Sequence, residues 1–120
     1  MATDRFRLRR PDFSHVDNPY LDGGWWPESA DLGAEVEQLL ADVDPTGFHT
    51  RRVLYNLEDG WTRPPRRMVA GGRQIKLSGY HTQRKAVLTL LDDAGRRLEL
   101  VVVPPSTDAR VAERAMRIAG

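Results

Sequence analysis

The chain has no cysteine, and its apolar runs are short. Without cysteine it can form no disulfide, no thiolate nucleophile and no cysteine-based zinc site. Runs such as Val101–Val103 fall far short of the ~20 residues that a membrane-spanning helix needs. The first residues also lack the apolar stretch of a secretory signal, so we expect a cytoplasmic protein with no membrane association.

Motifs of the common enzyme classes are also absent. The chain has no G-x-x-x-x-G-K-[ST], G-x-G-x-x-G, H-E-x-x-H or G-x-S-x-G segment. Glu58 and Asp59 could act as an acid/base pair, but Asp59-Gly60 is more typical of a turn. His15 with Asp17 could ligate a metal, yet nothing completes a recognisable zinc site. These absences favour a non-enzymatic protein with no catalytic residue, metal or cofactor, and leave open an enzyme of unrecognised type.

The composition is that of one folded domain spanning residues 1–120, with 40% apolar and 29% charged residues. Its clearest element is a helix, because apolar residues recur at helical spacing from Leu32 to Val43. Ser29 is the predicted N-cap, and Pro45 ends the helix. A last helix is predicted to end near Ala119 and to begin at a cap chosen from Ser106, Thr107 or Asp108.

Alternation of apolar and polar residues predicts the strands. Gly71-Gly72 supplies the positive φ angles of a tight hairpin turn, and Asp92–Gly95 is typical of another turn. The segment from Pro11 to Pro27 is predicted to be irregular. The order β-α-β-β-β-β-β-α indicates an α+β fold, with two helices packed on an antiparallel sheet of five to six strands. The predicted strands are Arg5–Arg9, Arg52–Leu57, Arg66–Ala70, Arg73–Ser78, Ala86–Leu91 and Arg97–Val103.

Two adjacent tryptophans, Trp25 and Trp26, are the most distinctive feature of the sequence. Neighbouring side chains of an extended chain point to opposite sides, so both indoles cannot face one core. Either one indole lies at a surface, or both pack beneath the loop. The first interpretation predicts a surface that binds a protein or an anionic small ligand, and a homodimer through an open sheet edge is one version of it. The candidate residues of this surface are Trp25, Trp26, Trp61, Arg66 and Arg67.

The charges are unevenly distributed along the chain. Residues 28–47 carry six acidic and no basic side chains, whereas Trp61–Leu91 contains no acid. The alternative function is therefore nucleic-acid binding, with aromatic residues available for stacking on bases. The competing interpretation is that the acidic helix neutralises this stretch. The candidate nucleic-acid contacts are Arg63, Arg73, Lys76, Arg84 and Lys85.

Several of these segments together resemble a known family. Asp22–Pro27, followed by Ser29 and the helix at Leu32, is similar to a motif in small actinobacterial proteins catalogued as a domain of unknown function. The resemblance covers residues 6 to 118 and implies an actinobacterial, cytoplasmic origin but no activity. It continues through Val53–Asn56, Trp61, Pro65–Arg67, Gly79 and Val102–Pro105.

Overall fold

A computed structural model of the chain describes residues 5–8 and 21–119. These residues form a seven-stranded sheet and two helices, so the predicted α+β class is confirmed. None of the described helices is long and apolar enough to cross a membrane. The elements are β1 (Phe6–Leu8), β2 (Gly23–Trp25), α1 (Leu32–Val43), β3 (Thr50–Asn56), β4 (Arg67–Ala70), β5 (Arg73–Tyr80), β6 (Val87–Asp92), β7 (Arg97–Val102) and α2 (Ala109–Ala119).

The sheet is mixed, so the prediction of an antiparallel sheet with five to six strands is wrong. Its strand order is β1-β2-β7-β6-β3-β5-β4. The pairs β2–β7 and β3–β5 are parallel, and the other neighbours are antiparallel. The seventh strand is β2, which lies in the segment predicted to be irregular. Residues 11–20 of that segment lie outside the described residues.

Helix α1 forms where the apolar spacing predicts it, and its apolar residues are buried against the sheet. Its N-cap is Asp31, whose side chain accepts the N–H of Ala34 at 3.3 Å. The prediction of Ser29 as N-cap is therefore wrong. The hydroxyl of Ser29 donates instead to Glu35 Oε2 at 3.0 Å, one turn into the helix. Beyond Val43 the chain continues into a single 3₁₀ turn that contains Pro45.

The predicted hairpin at Gly71-Gly72 is confirmed. Both glycines have positive φ, 61° and 76°, as a tight two-residue turn between β4 and β5 requires. The second arm, β5, pairs in parallel with β3, which leaves β4 at the edge of the sheet. The strong local signal therefore predicts the hairpin but not which of its arms joins the rest of the sheet.

The two helices lie on opposite faces of the sheet. Trp25 belongs to the core that β3, β5, β6 and β7 form with α1. The adjacent Gly24 faces the other way, where a Cβ atom would lie 3.0 Å from Met116 Sδ and Ala119 Cβ of α2. Helix α2 begins after Asp108, whose carboxylate accepts the N–H of Arg110 at 3.0 Å. Of the three predicted caps, Asp108 is thus the one that binds a helix N–H.

Candidate functional site

A cavity of about 310 Å³ lies at one end of the sheet. Strands β3 and β7 end there and β6 begins there, so the loops at these three strand ends converge on it, and Ala30 of the segment before α1 completes the lining. Most of its wall is apolar, and Asp59 is its one ionisable side chain. We call it the Trp61 cavity. It is lined by Ala30, Asp59, Gly60, Trp61, Ala86, Val102, Pro104, Pro105 and Ser106.

The aromatic wall of the Trp61 cavity rests on a second indole. Trp61 stacks on Trp25 with ring centroids 5.7 Å apart and planes 22° from parallel. Trp25 is itself only 2% exposed and belongs to the core under α1. A stacked pair of this kind fixes the orientation of the half-buried outer ring. The Nε1–H of Trp61 is buried and has no hydrogen-bond partner among the described residues.

The acidic group of the cavity is held by the backbone of the facing loop. The N–H of Ala86 donates to both carboxylate oxygens of Asp59, at 3.2 and 3.0 Å. Ala86 has a φ of 57°, which is uncommon for a residue other than glycine. Such conformations cost roughly 1–3 kcal/mol and cluster at functional sites. The loop thus adopts an unfavourable backbone conformation and directs a donor at Asp59.

Burial raises the pKa of the Asp59 carboxyl above its usual value. The hydrogen bond from Ala86 and the positive charge of Lys85 act in the opposite direction, and the negative charge of Glu58 adds to the rise. Lys85 Nζ lies 3.5 Å from Glu58 Oε2, and His81 Nδ1 lies 3.9 Å from Glu58 Oε1. Because Lys85 balances Glu58, the ionised Asp59 leaves a net negative charge at the cavity.

Trp25 and Trp26 do not form the predicted surface. They are only 2% and 6% exposed, so neither indole is available to a partner. The inference that they point to opposite sides is sound, but α1 covers one side and α2 covers the other. Trp26 packs in the α2 cluster, and the guanidinium of Arg5 lies 4.0 Å from its ring centroid. Trp61 is the one member of the tryptophan set that lines the cavity.

The two arginines of that predicted surface are exposed, but Arg67 does not share a face with Trp61. Arg67 alternates with Met68, which packs in the core on the α1 side with Trp61. The side chain of Arg67 therefore points to the opposite face of the sheet. Arg66 precedes β4, and its carbonyl accepts the N–H of Leu77 at 2.8 Å.

The predicted nucleic-acid contacts are dispersed. The Arg73 guanidinium binds Asp44 through two hydrogen bonds of 3.1 and 2.6 Å on the α1 side. Lys85 is paired with Glu58, as described above. Lys76 alternates with two buried core residues and is exposed on the other face. Arg63 and Arg84 are exposed in loops.

No cluster of three or more His, Asp or Glu side chains among the described residues could hold a metal ion. The pair His15 and Asp17 lies outside the described residues. Sequence reasoning assigned Asp59 to a turn, Ser106 to a helix cap and Ala86 to the start of a strand, and it proposed no binding role for these residues or for Pro104-Pro105. These residues come together only because three strands end or begin at one place, so no local pattern marks them.

Comparison with known proteins places the chain in one family. The model of the family of unknown function DUF5994 matches residues 5–119, and the chain belongs to this family. A search of curated proteins and a search of solved structures each gave no match.

Proposed function

We propose that this DUF5994 protein is a non-enzymatic binding module, and that its site is the Trp61 cavity. The proposed ligand is a small organic cation: an apolar or aromatic group ending in a primary ammonium, either free or on a lysine side chain. The observation that carries the proposal is the carboxylate of Asp59, held by a backbone N–H in a mostly apolar cavity in which it is the one ionisable side chain.

The size and lining of the cavity support a small ligand. Ligand pockets occupy roughly 300–1,000 Å³, with apolar walls and a few placed polar groups. At about 310 Å³ the Trp61 cavity lies at the low end of this range. It is suited to a compact molecule or to one side chain of a larger partner. Its polar side-chain groups are the Asp59 carboxylate and the Ser106 hydroxyl.

The charge of the site supports a cation. A partly buried carboxylate with a raised pKa is stabilised in its ionised form by an opposite charge within about 4–6 Å. An ammonium would supply that charge and the hydrogen-bond donors. The indole of Trp61 also attracts cations placed over its face, by about 0.5–2 kcal/mol. The stack on Trp25 holds this ring in place before a ligand arrives.

The test is a titration of the ¹⁵N-labelled protein with three probes of matched shape, followed by NMR. Benzylammonium carries the proposed cation, benzyl alcohol is neutral, and benzoate is an anion. We expect benzylammonium to shift the backbone amides of Gly60 and Ala86 and the indole N–H of Trp61 in a saturable manner. Benzyl alcohol should bind more weakly, and benzoate should leave these signals unchanged. Equal shifts with benzoate, or shifts confined to other residues, would refute the proposal.

A further inference from the structure

Three cations lie side by side on the sheet face that points away from α1. Arg52 of β3 is the register partner of Lys76 of β5, and Lys76 is the register partner of Arg67 of β4. Neighbouring strands are about 4.8 Å apart, so the three positions fall within about 10 Å. We call these residues the cation row. Lys76 and Arg67 are exposed and Arg52 is half-buried.

The cation row has no counter-charge in the described part of the chain. The Arg52 guanidinium donates to two neutral oxygens, Ser78 Oγ at 3.3 Å and Tyr80 Oη at 3.0 Å. On the same face, by contrast, Arg97 of β7 is paired with Glu99 at 2.8 Å. Like charges at directly opposed positions on neighbouring strands destabilise a sheet. An anion bound across the row would remove this repulsion.

The acidic helix does not neutralise the row, because α1 packs on the other face of the sheet. One ion pair links the C-terminal end of α1 to the segment Trp61–Leu91, which contains no acidic residue. It joins Asp44, the residue after the helix, to Arg73. Arg73 points to the α1 side and Lys76 to the opposite side, since the two positions differ by an odd number of residues on β5. The neutralisation expected from the sequence therefore applies to Arg73 and leaves the cation row unpaired.

An exposed aromatic ring adjoins the row. Tyr80 is 41% exposed, lies on the same face, and is anchored through its hydroxyl to Arg52. On the other side of the row, Val69 of β4 is 71% exposed beside its register partner Gln74. Proteins that bind single-stranded nucleic acid combine cations that follow the phosphates with aromatic rings on which bases stack. An acidic peptide would need the cations but not the ring.

We propose that this face binds single-stranded nucleic acid, with phosphates on Arg52, Lys76 and Arg67 and a base stacked on Tyr80. This site is separate from the Trp61 cavity. Of the nucleic-acid contacts predicted from the sequence, only Lys76 belongs to it. Three neutralised phosphates on a single strand predict a slope of about −2 for log affinity against log salt.

The experiment is fluorescence anisotropy of labelled 12-mer oligo(dT) and oligo(rU) with the full chain, over a salt series beginning at 50 mM. Lys76→Gln and Arg67→Gln should each make the slope shallower by about 0.7. The matched control is Arg63→Gln, which removes the same charge from the acid-free stretch but not from the row, and it should change nothing. Tyr80→Leu should weaken binding roughly 5- to 150-fold, whereas Tyr80→Phe keeps the ring and most of the affinity.

Three results would overturn the proposal. The first is no binding of either oligonucleotide at 50 mM salt. The second is an equal loss in Arg63→Gln, which would mean that diffuse charge rather than the row binds the strand. The third is tighter binding of poly-glutamate that depends on Lys76 but not on Tyr80, which would assign the face to an acidic protein. The exposure of the substituted side chains should keep every variant folded, and thermal unfolding checks this.

Discussion

The indole of Trp61 stacks on that of Trp25, with ring centroids 5.7 Å apart. One ring belongs to the core and the other lines the cavity, so the wall of the proposed site is continuous with the hydrophobic core under α1. A ring that already packs on the core needs little further ordering when a ligand binds, and the binding energy lost to ordering it is correspondingly small.

The exposure of the three indoles predicts their fluorescence quenching. Trp61 is half-buried, whereas Trp25 and Trp26 are buried. Most of the iodide-accessible emission should therefore disappear in Trp61→Phe. It should remain in Trp26→Phe, which is the matched control with the same chemical change at a buried position. Accessible emission that disappears in Trp26→Phe instead would contradict the packing of α2 over that ring.

Substitution by alanine should destabilise the fold to very different extents at the two adjacent glycines of β2. A Cβ on Gly23 would collide with the backbone carbonyl of Arg7 in β1, which cannot move without separating the two strands. A Cβ on Gly24 would meet the flexible end of Met116 and the methyl of Ala119, at 3.0 Å in each case. We expect Gly24→Ala to cost about 1 kcal/mol of unfolding free energy and Gly23→Ala more than about 3 kcal/mol. Denaturant unfolding measures both, and equal costs would show that the β1–β2 pairing is wrong.

The ion pair between Arg73 and Asp44 should contribute measurably to stability. The Arg73 side chain is 12% exposed, binds Asp44 through two nitrogens and donates Nε to the carbonyl of Thr50 at 2.7 Å. Because such hydrogen bonds are charge-assisted and partly buried, we expect Arg73→Ala to lower the unfolding free energy by about 2–3 kcal/mol. The exposed Arg67→Ala should change it by less than about 0.5 kcal/mol. Similar costs for the two variants would argue against the pair.

The hydrogen bonds of the Asp92 carboxylate predict that the free energy of unfolding falls in acid. Burial alone would raise the pKa of its carboxyl, but the side-chain and backbone hydrogen bonds from Arg96, the Arg96 charge and the Ala94 N–H together lower it. A carboxyl whose folded pKa is lowered stabilises the fold above its unfolded value of about 3.9, and this stability disappears as the pH falls from there toward the folded pKa.

In the variant Asp92→Asn, the ionic bond of 2.6 Å to Arg96 Nε is lost. Since the Asp92 side chain is only 4% exposed, we expect a loss of about 1.5–3 kcal/mol at pH 7 that shrinks below pH ~4. The neighbouring Asp93→Asn is the control, because Asp93 is exposed and its pair with Arg51 should contribute less than about 1 kcal/mol. Urea unfolding at pH 7 and pH 3 compares the variants, and a loss for Asp92→Asn that is the same at both would contradict the assignment.

Local patterns predicted the elements that depend on local physics. The spacing from Leu32 to Val43 predicted α1, and Gly71-Gly72 predicted the hairpin, because both signals lie within the element itself. Strand β2 was missed because Gly23-Gly24-Trp25 has neither the β-branched residues nor the alternation of a typical strand. It is a strand because β1 and β7 lie on either side of it, and two glycines allow β1 and α2 to approach closely.

The site was harder to predict than the fold. The tryptophan pair was correctly interpreted as two side chains pointing to opposite sides. The surface prediction failed because nothing local indicates that α2 covers the second side. In the sequence Asp59 is an ordinary turn residue. Its place in the site depends on the hydrogen bond from the N–H of Ala86, which is 27 positions away. Arg52 lies beside Lys76 because β3 pairs with β5 in parallel, and no residue spacing in the sequence predicts this contact between the two strands.

The most direct test of the central claim is the affinity of benzylammonium for the wild-type protein and for Asp59→Asn at pH 7, measured by Trp61 emission. Asparagine keeps one oxygen for the Ala86 N–H, removes the negative charge and replaces the second carboxylate oxygen with an amide NH2. The proposal predicts saturable binding that weakens at least tenfold in Asp59→Asn, is unchanged in Asp93→Asn, and weakens in the wild type as the pH falls through the raised pKa of Asp59. Equal affinity of the wild type and Asp59→Asn, or no binding to either, would contradict it.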